Sequence, residues 1–210
     1  MRSAVPTLSL LETRVLGTLV EKAHTVPDTY PLSLNALVAG CNQKTSRSPV
    51  MEATNAEAQQ ALDSLKSANF VMETSGNRVP RYSHNLGRVL QVPSQSEALL
   101  ATLMLRGPQT AGELRINSER LHAFSDISAV EGFLNELAAR PAGALVVLLP
   151  RTPGTRESRW AHLLSGTPAV ETAPAAESVT DATPSLHARV ERLEAEVAAL
   201  RELLERSGVR

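Results

Sequence analysis

The chain's one cysteine, Cys41, stands just ahead of two bases, Lys44 and Arg47, in the stretch GCNQKTSRSPVMEATNAEAQQALDSL (residues 40–65). A thiol next to cations can act as a nucleophile once its pKa is lowered. No histidine lies within fifteen residues of it, however, and Cys41 continues the apolar spacing Leu34, Leu37, Val38. Free cysteine is among the most buried residue types, so a core role outweighs a catalytic one. For the rest of the stretch two readings stay open beside catalysis. Asn42 and Gln43 can close the end of a helix, with Lys44 and Arg47 paired to acidic groups. Alternatively, Lys44, Arg47 and the amides form a binding surface with phosphate contacts.

Arginines gather at two further places. Arg78 and Arg81, with Arg88 just beyond, flank a turn SGN. Arg151, Arg156 and Arg159 surround the turn TPG against a single acidic residue, Glu157. Bases so placed can follow a phosphate backbone. They also decorate hairpin edges, where charge discourages strand-to-strand aggregation. Other chemistry is poorly provided for. The histidines His24, His84, His122, His162 and His187 lack metal-ligand spacing. No glycine-rich phosphate loop or carboxylate pair stands out, so neither a cofactor, a metal nor an enzymatic activity is expected.

The elements that must position these residues occur twice. SLLETRVLGTLVEKA places Leu8, Leu11, Val15 and Leu19 on one helical face, opened by the capping-box spacing Ser9–Glu12. SLNALVAGC is a second helix. TNAEAQQALDSL is a third, with the box Thr54–Glu57 and the inner face Ala58, Ala61, Leu62, Leu65. A hairpin follows, FVMET to RVPRYSH. Downstream, SQSEALLATLML has the spacing Ser94–Glu97 and the apolar set Leu99, Leu100, Leu103, Met104. TAGELRI carries Thr110–Glu113. SDISAVEGFLNELAAR puts Val130, Phe133, Leu134 and Leu137 inward, and ALVVLLPR to TRESRWAHLL forms a second hairpin. Three helices and a two-stranded ribbon, twice, is the order of a winged helix. The expectation is therefore mainly α with small β-hairpins (α+β): winged-helix domains over residues 1–88 and 92–166, a Pro/Ala linker over 167–184, and a coiled-coil helix over 185–207.

The third helices argue against major-groove reading. Glu57, Gln59, Gln60 and Asp63 face outward on one, with Lys66 only at its end. Asp126, Glu131, Asn135 and Glu136 do so on the other. Carboxylates are unfavourable against the dense negative charge of DNA unless they read cytosine. The tail is different. Leu186, Val190, Leu193, Val197, Leu200 and Leu204 recur at alternating four- and three-residue steps, with valine at a and leucine at d through most of the seam. That pattern favours a parallel two-stranded coil. Arg189 with Glu194, and Glu196 with Arg201, then attract across it.

Composition agrees. Of 210 residues, 42% are hydrophobic but only 3% aromatic, so the cores rest on Leu, Val and Ala. Sixteen basic and 14 acidic residues up to Ser165 leave a net +2; 5 and 8 after it leave −3. Neither is the charge of a strongly basic nucleic-acid-binding domain. No apolar run approaches a membrane span or a signal-peptide core, and a lone cysteine fits a reducing cytoplasm.

LETRVLGTLVEK, YPLSLNALVAGCNQKTSRSPVME, LRGPQTAGELR and PGTRESRWAHL closely resemble the YceH-like family of bacterial proteins. The resemblance covers residues 8 to about 166. It implies a tandem winged-helix fold in a cytoplasmic bacterial protein, and it carries no activity, cofactor or catalytic residue. The family motif falls on Cys41 to Arg47 and on Pro153 to Arg159. This chain has Trp160 where the pattern leads one to expect tyrosine. The leading expectation is a non-enzymatic factor that touches double-stranded DNA weakly and without sequence preference through Lys44, Arg47, Arg78, Arg81, Arg151, Arg156 and Arg159. It would be a homodimer through its C-terminal helix. The alternative is a protein–protein adaptor using the acidic third helices.

Overall fold

The computed structural model describes residues 7–75, 79–151 and 157–167, together with Glu194. Its first helix, α1 (Leu10–Thr25), opens on Ser9, whose side chain accepts from the Glu12 backbone while the Glu12 carboxylate accepts from the Ser9 backbone. The short strand β1 (Leu32–Ser33) leads into α2 (Leu34–Cys41), and α3 (Asn55–Ser67) opens on the reciprocal Thr54–Glu57 cap. β2 (Val71–Ser75) and β3 (Pro80–His84) form the first hairpin. After the short helix α4 (Leu86–Leu90), the order recurs: α5 (Ser94–Arg106), α6 (Ala111–Asn117), α7 (Ile127–Ala138), then β4 (Val146–Leu148) and β5 (Trp160–His162). The protein is α+β, mainly helical with small antiparallel sheets. Among the described residues no helix is long and apolar enough to cross a membrane.

Three of the four expected capping boxes form. Thr110 caps α6 with Glu113 as its reciprocal partner, and each such cap stabilises its helix by about 1 kcal/mol. The fourth expectation is corrected. Ser94 is already inside α5, and Pro93 occupies the cap position with no side-chain oxygen to offer. Glu97 instead accepts from the backbone N–H of Gly87, at a point where any Cβ on residue 87 would collide with its carboxylate.

The sheets carry a repeat that local spacing did not reveal. In the first, the order is β1–β3–β2, with Leu32 opposite Tyr82 and Ser33 opposite Arg81. In the second half β1 has a counterpart reduced to one bridge, Gln109 opposite Trp160, with backbone hydrogen bonds of 3.0 and 2.7 Å. In each half the next residue, Ser33 or Thr110, caps the second helix. Trp160, at 7% exposure, thus fills the place that Tyr82 fills in the first half.

The two halves share one hydrophobic core, in which Val15, Leu16 and Leu19 of α1 join Leu99, Leu100 and Leu103 of α5. α1 and α5 approach closely at Gly17, where a Cβ would come within 3.1 Å of Leu105 Cγ and 3.2 Å of Met104 Cβ. Leu8 N donates to Leu164 O at 2.7 Å, tying the start of the first half to the end of the second. The expected linker and coil, Thr167 and Glu194 apart, lie outside the described residues.

Candidate functional site

The loop between α2 and α3 is built around two polar clamps. Asn42 Nδ2 donates to Ala53 O, and Ala53 N donates to Asn42 Oδ1, both at 2.8 Å. These bonds close the loop across eleven residues. Ser46 then adopts a left-handed backbone, φ 59°, a conformation that costs a non-glycine residue about 1 kcal/mol or more. That turn sends Arg47 inward. Its side chain is fully buried; Nη1 and Nη2 meet Glu21 Oε1 and Oε2 at 3.2 and 2.6 Å, and Nε donates to Gly40 O at 3.1 Å. Burial pushes the Glu21 carboxyl up, but its hydrogen bonds and charge contacts with Arg47 and Lys22 outweigh this and hold it below the usual carboxylate range.

Behind this pair lies Arg14 of α1, 1% exposed. It donates to Cys41 O at 3.2 Å and to Pro49 O at 2.7 Å, so it pins the start and the middle of the loop, while its Nε is buried without a partner. Cys41 is fully buried and its Sγ lies 3.6 Å from Thr18 Oγ1. Burial raises the thiol pKa, the reverse of what a nucleophile needs. The cysteine is a core residue here.

The hairpin arginines are drawn into the repeat. Arg81 donates to Pro31 O at 2.8 Å and Thr29 O at 3.3 Å. Arg159 donates to Pro108 O at 2.8 Å and meets both oxygens of Glu113 at 2.9 Å. Each arginine sits beside the strand residue opposite β1 or its counterpart and holds the carbonyl of the proline preceding that segment. They stitch each hairpin to the start of its second helix. Lys44 and Arg151 are exposed and make no ion pair among the described residues. Arg78 and Arg156 lie outside those residues. The structure therefore brings Arg47 and Arg14 together, leaves Lys44 and Arg151 on the surface, and engages Arg81 and Arg159 with the protein's own groups.

The outward faces of the third helices are as expected from spacing. Glu57, Gln60 and Asp63 are exposed on α3, and Asp126, Glu131, Asn135 and Glu136 on α7. Lys66, the nearby base, is held by Asp63 at 2.9 Å and Glu73 at 2.7 Å. Gln59 accepts from Tyr82 Oη at 3.2 Å and so belongs to the helix–hairpin contact rather than to the free surface. On the second half, Glu131 and Asn135 border a groove of about 430 Å³ against the hairpin, floored by Trp160 and edged by Leu148 and Arg151.

Arg14, Glu21 and Arg106 escaped sequence reading as site residues. For Arg14 a signal existed: it stands between Leu11 and Thr18 on the face that α1 buries. Among the described residues no group of three or more His, Cys, Asp or Glu side chains is arranged to hold a metal ion.

Comparison with known proteins places these features in a family. A family model described as "Protein of unknown function, DUF480" matches residues 8–155, a span that contains the loop, both second helices and both third helices. A UPF0502 protein of Dechloromonas aromatica is 63% identical over 207 residues, covering 97% of each chain. UPF0502 proteins of Burkholderia pseudomallei (strain 668) and Burkholderia ambifaria are 59% and 58% identical, each covering 97% of this chain and 89% of the relative. The chain belongs to the DUF480, or UPF0502, family of bacterial proteins.

Proposed function

We propose that this protein is a non-enzymatic tandem winged-helix adaptor, cytoplasmic, whose third-helix faces bind a protein partner carrying basic side chains. The observation that carries this reading is the division of charge. The outward sides of α3 and α7 present carboxylates and amides, while Arg47, Arg81 and Arg159 are engaged within the fold. The winged-helix assignment is supported by the order helix, strand, helix, helix, hairpin and by the β1–β3–β2 sheet, echoed in the second half by the Gln109–Trp160 bridge. Ile127 and Leu148, 47% and 48% exposed, add apolar contacts next to Glu131, a mixture that suits a protein better than a phosphate backbone.

Charge reversal tests the reading. Glu131→Lys with Glu136→Lys is expected to abolish capture of the partner from cells, whereas Lys44→Glu leaves it intact. The opposite pattern would overturn it. Lys44 and Arg151 favour a second reading, weak sequence-independent contact with double-stranded DNA. A duplex mobility shift at low salt and micromolar protein, with a salt slope of about −0.9 per phosphate contact, would move that reading to first place. No shift is expected.

Self-association completes the proposal. The seam Leu186, Val190, Leu193, Val197, Leu200, Leu204 makes the full chain a homodimer. Light scattering should give twice the chain mass, falling to one chain mass on Leu193→Asp with Leu200→Asp. A wild-type protein that already has the single-chain mass at tens of micromolar contradicts the coil.

A further inference from the structure

Where the α2–α3 loop of the first half docks on the α5–α6 corner of the second, a polar cleft of about 350 Å³ opens. Ser48 N donates to Leu105 O at 2.8 Å and fixes the docking. Ser46, Ser48, Arg106, Gln109, Glu113 and Arg159 are among the residues that line the cleft. Most of the polar groups are already matched. Arg159 is held by Glu113, Asn117 Nδ2 donates to Gln109 Oε1 at 2.6 Å, and Gln109 Nε2 donates to Thr102 O and Gly107 O. Arg106 is the exception. It is half-buried, and among the described residues its guanidinium makes one hydrogen bond, Nη2 to Ser46 Oγ at 2.9 Å, and no ion pair.

The charges behind Arg106 sharpen the point. Arg47 repels both Arg14, which is buried behind it, and Arg106, which Glu21 attracts in turn. Glu21 is already bidentate to Arg47 and touched by Lys22 at 3.3 Å. Glu21 is taken up by Arg47 and Lys22 and Glu113 by Arg159, so among the described residues half-buried Arg106 has no carboxylate of its own. Charge out of water is costly unless paired. Arg106 lines the cleft. There Arg106 still has N–H donors to offer, and the hydroxyls of Ser46 and Ser48 stand beside it.

We propose that this cleft is an oxyanion site that binds a phosphoryl group, with Arg106 as its charge partner and the Ser46 and Ser48 hydroxyls as flanking donors. A phosphomonoester carries about −1.5 to −2 at neutral pH, which gives Arg106 the counter-charge it lacks, and a tetrahedral anion accepts from donors on more than one side. Charge-assisted bonds from a guanidinium are the strong ones. The volume leaves room for a small organic group attached to the phosphate. The site is independent of the third-helix surface and stands whether the partner there is protein or DNA.

Thermal-shift and calorimetric titrations of the full-length protein test it, with sodium phosphate compared against chloride and acetate at matched ionic strength. Phosphate is expected to bind and stabilise where chloride and acetate do not. Arg106→Gln, which removes the charge and keeps a polar side chain, should weaken phosphate binding by about tenfold or more, the loss expected for one charged hydrogen-bonding group. Ser46→Ala with Ser48→Ala should weaken it by a smaller factor, and Lys44→Gln should leave it unchanged. A phosphate response no larger than that of chloride overturns the proposal. So does equal binding of acetate, or full retention in Arg106→Gln. If that variant does not fold, unchanged phosphate affinity in the double serine variant overturns it as well.

Discussion

Glu21→Ala is expected to lower the free energy of unfolding by about 3–5 kcal/mol, the range for removing one partner of a buried ion pair. Glu21 supplies both acceptors to the Arg47 guanidinium, at 3.2 and 2.6 Å, and the Arg47 side chain has no exposure through which water could replace them. The loss exceeds that of an ordinary surface pair, about 0–1 kcal/mol, because the stranded charge stays buried beside Arg14. The loop should loosen with it, since Arg47 also holds Gly40 O and Ser46 O. Replacing both partners by methionine removes the stranded charge and should cost less than Glu21→Ala alone. Urea unfolding of the three variants measures this. A loss under about 1 kcal/mol for Glu21→Ala would show that the pair carries little of the fold's stability.

Acidification is expected to destabilise the protein well before its carboxylates titrate. His84 and His162 each have a buried Nδ1 without a partner, and burial pushes both imidazoles down to about 4, with His24 adding to the effect at His84. In the unfolded chain a histidine titrates near 6.5. Between these values the unfolded state binds more protons than the folded one. The stabilising contribution is therefore complete above about pH 6.5 and is lost as the pH falls towards 4. By pH 5 the linkage amounts to about 2 kcal/mol for each histidine. Glu97, which burial raises, works in the opposite sense, because its protonation is easier in the folded protein. The two histidines outweigh it over the window from pH 6.5 to 5. Melting temperatures at pH 7.5 and 5.0 should thus differ by many degrees, and His84→Gln with His162→Gln should flatten the difference. Equal melting temperatures at the two pH values in the unaltered protein would refute the assignment.

Much of this molecule is readable along the chain, because its determinants are local. The apolar stripes of α1, α3, α5 and α7, the reciprocal caps at Ser9, Thr54 and Thr110, and the hairpin β2–β3 each depend on residues within a turn or two of one another. So does the outward placement of Glu57, Asp63, Glu131 and Glu136, since a helix that buries one face must expose the other. Cys41 was placed in the core by the same logic.

What the arginines do was not local. Arg47 and Glu21 are 26 residues apart, Arg81 and Pro31 are 50, and Arg159 and Glu113 are 46. A guanidinium on a loop or hairpin looks the same in sequence whether it meets a phosphate, a carbonyl or a carboxylate. Its partner is chosen by which backbone the fold brings alongside. Ser94 shows the same limit at short range: its spacing to Glu97 is that of a cap, but the helix begins one residue early, at Ser94 with Pro93 in the cap position, and Glu97 turns to Gly87. Residue types and their periods determined the helices, their caps and their faces. Only the packing of α1 on α5 decided that Arg47 would come near both Arg14 and Arg106, because that juxtaposition exists in no segment shorter than the whole core.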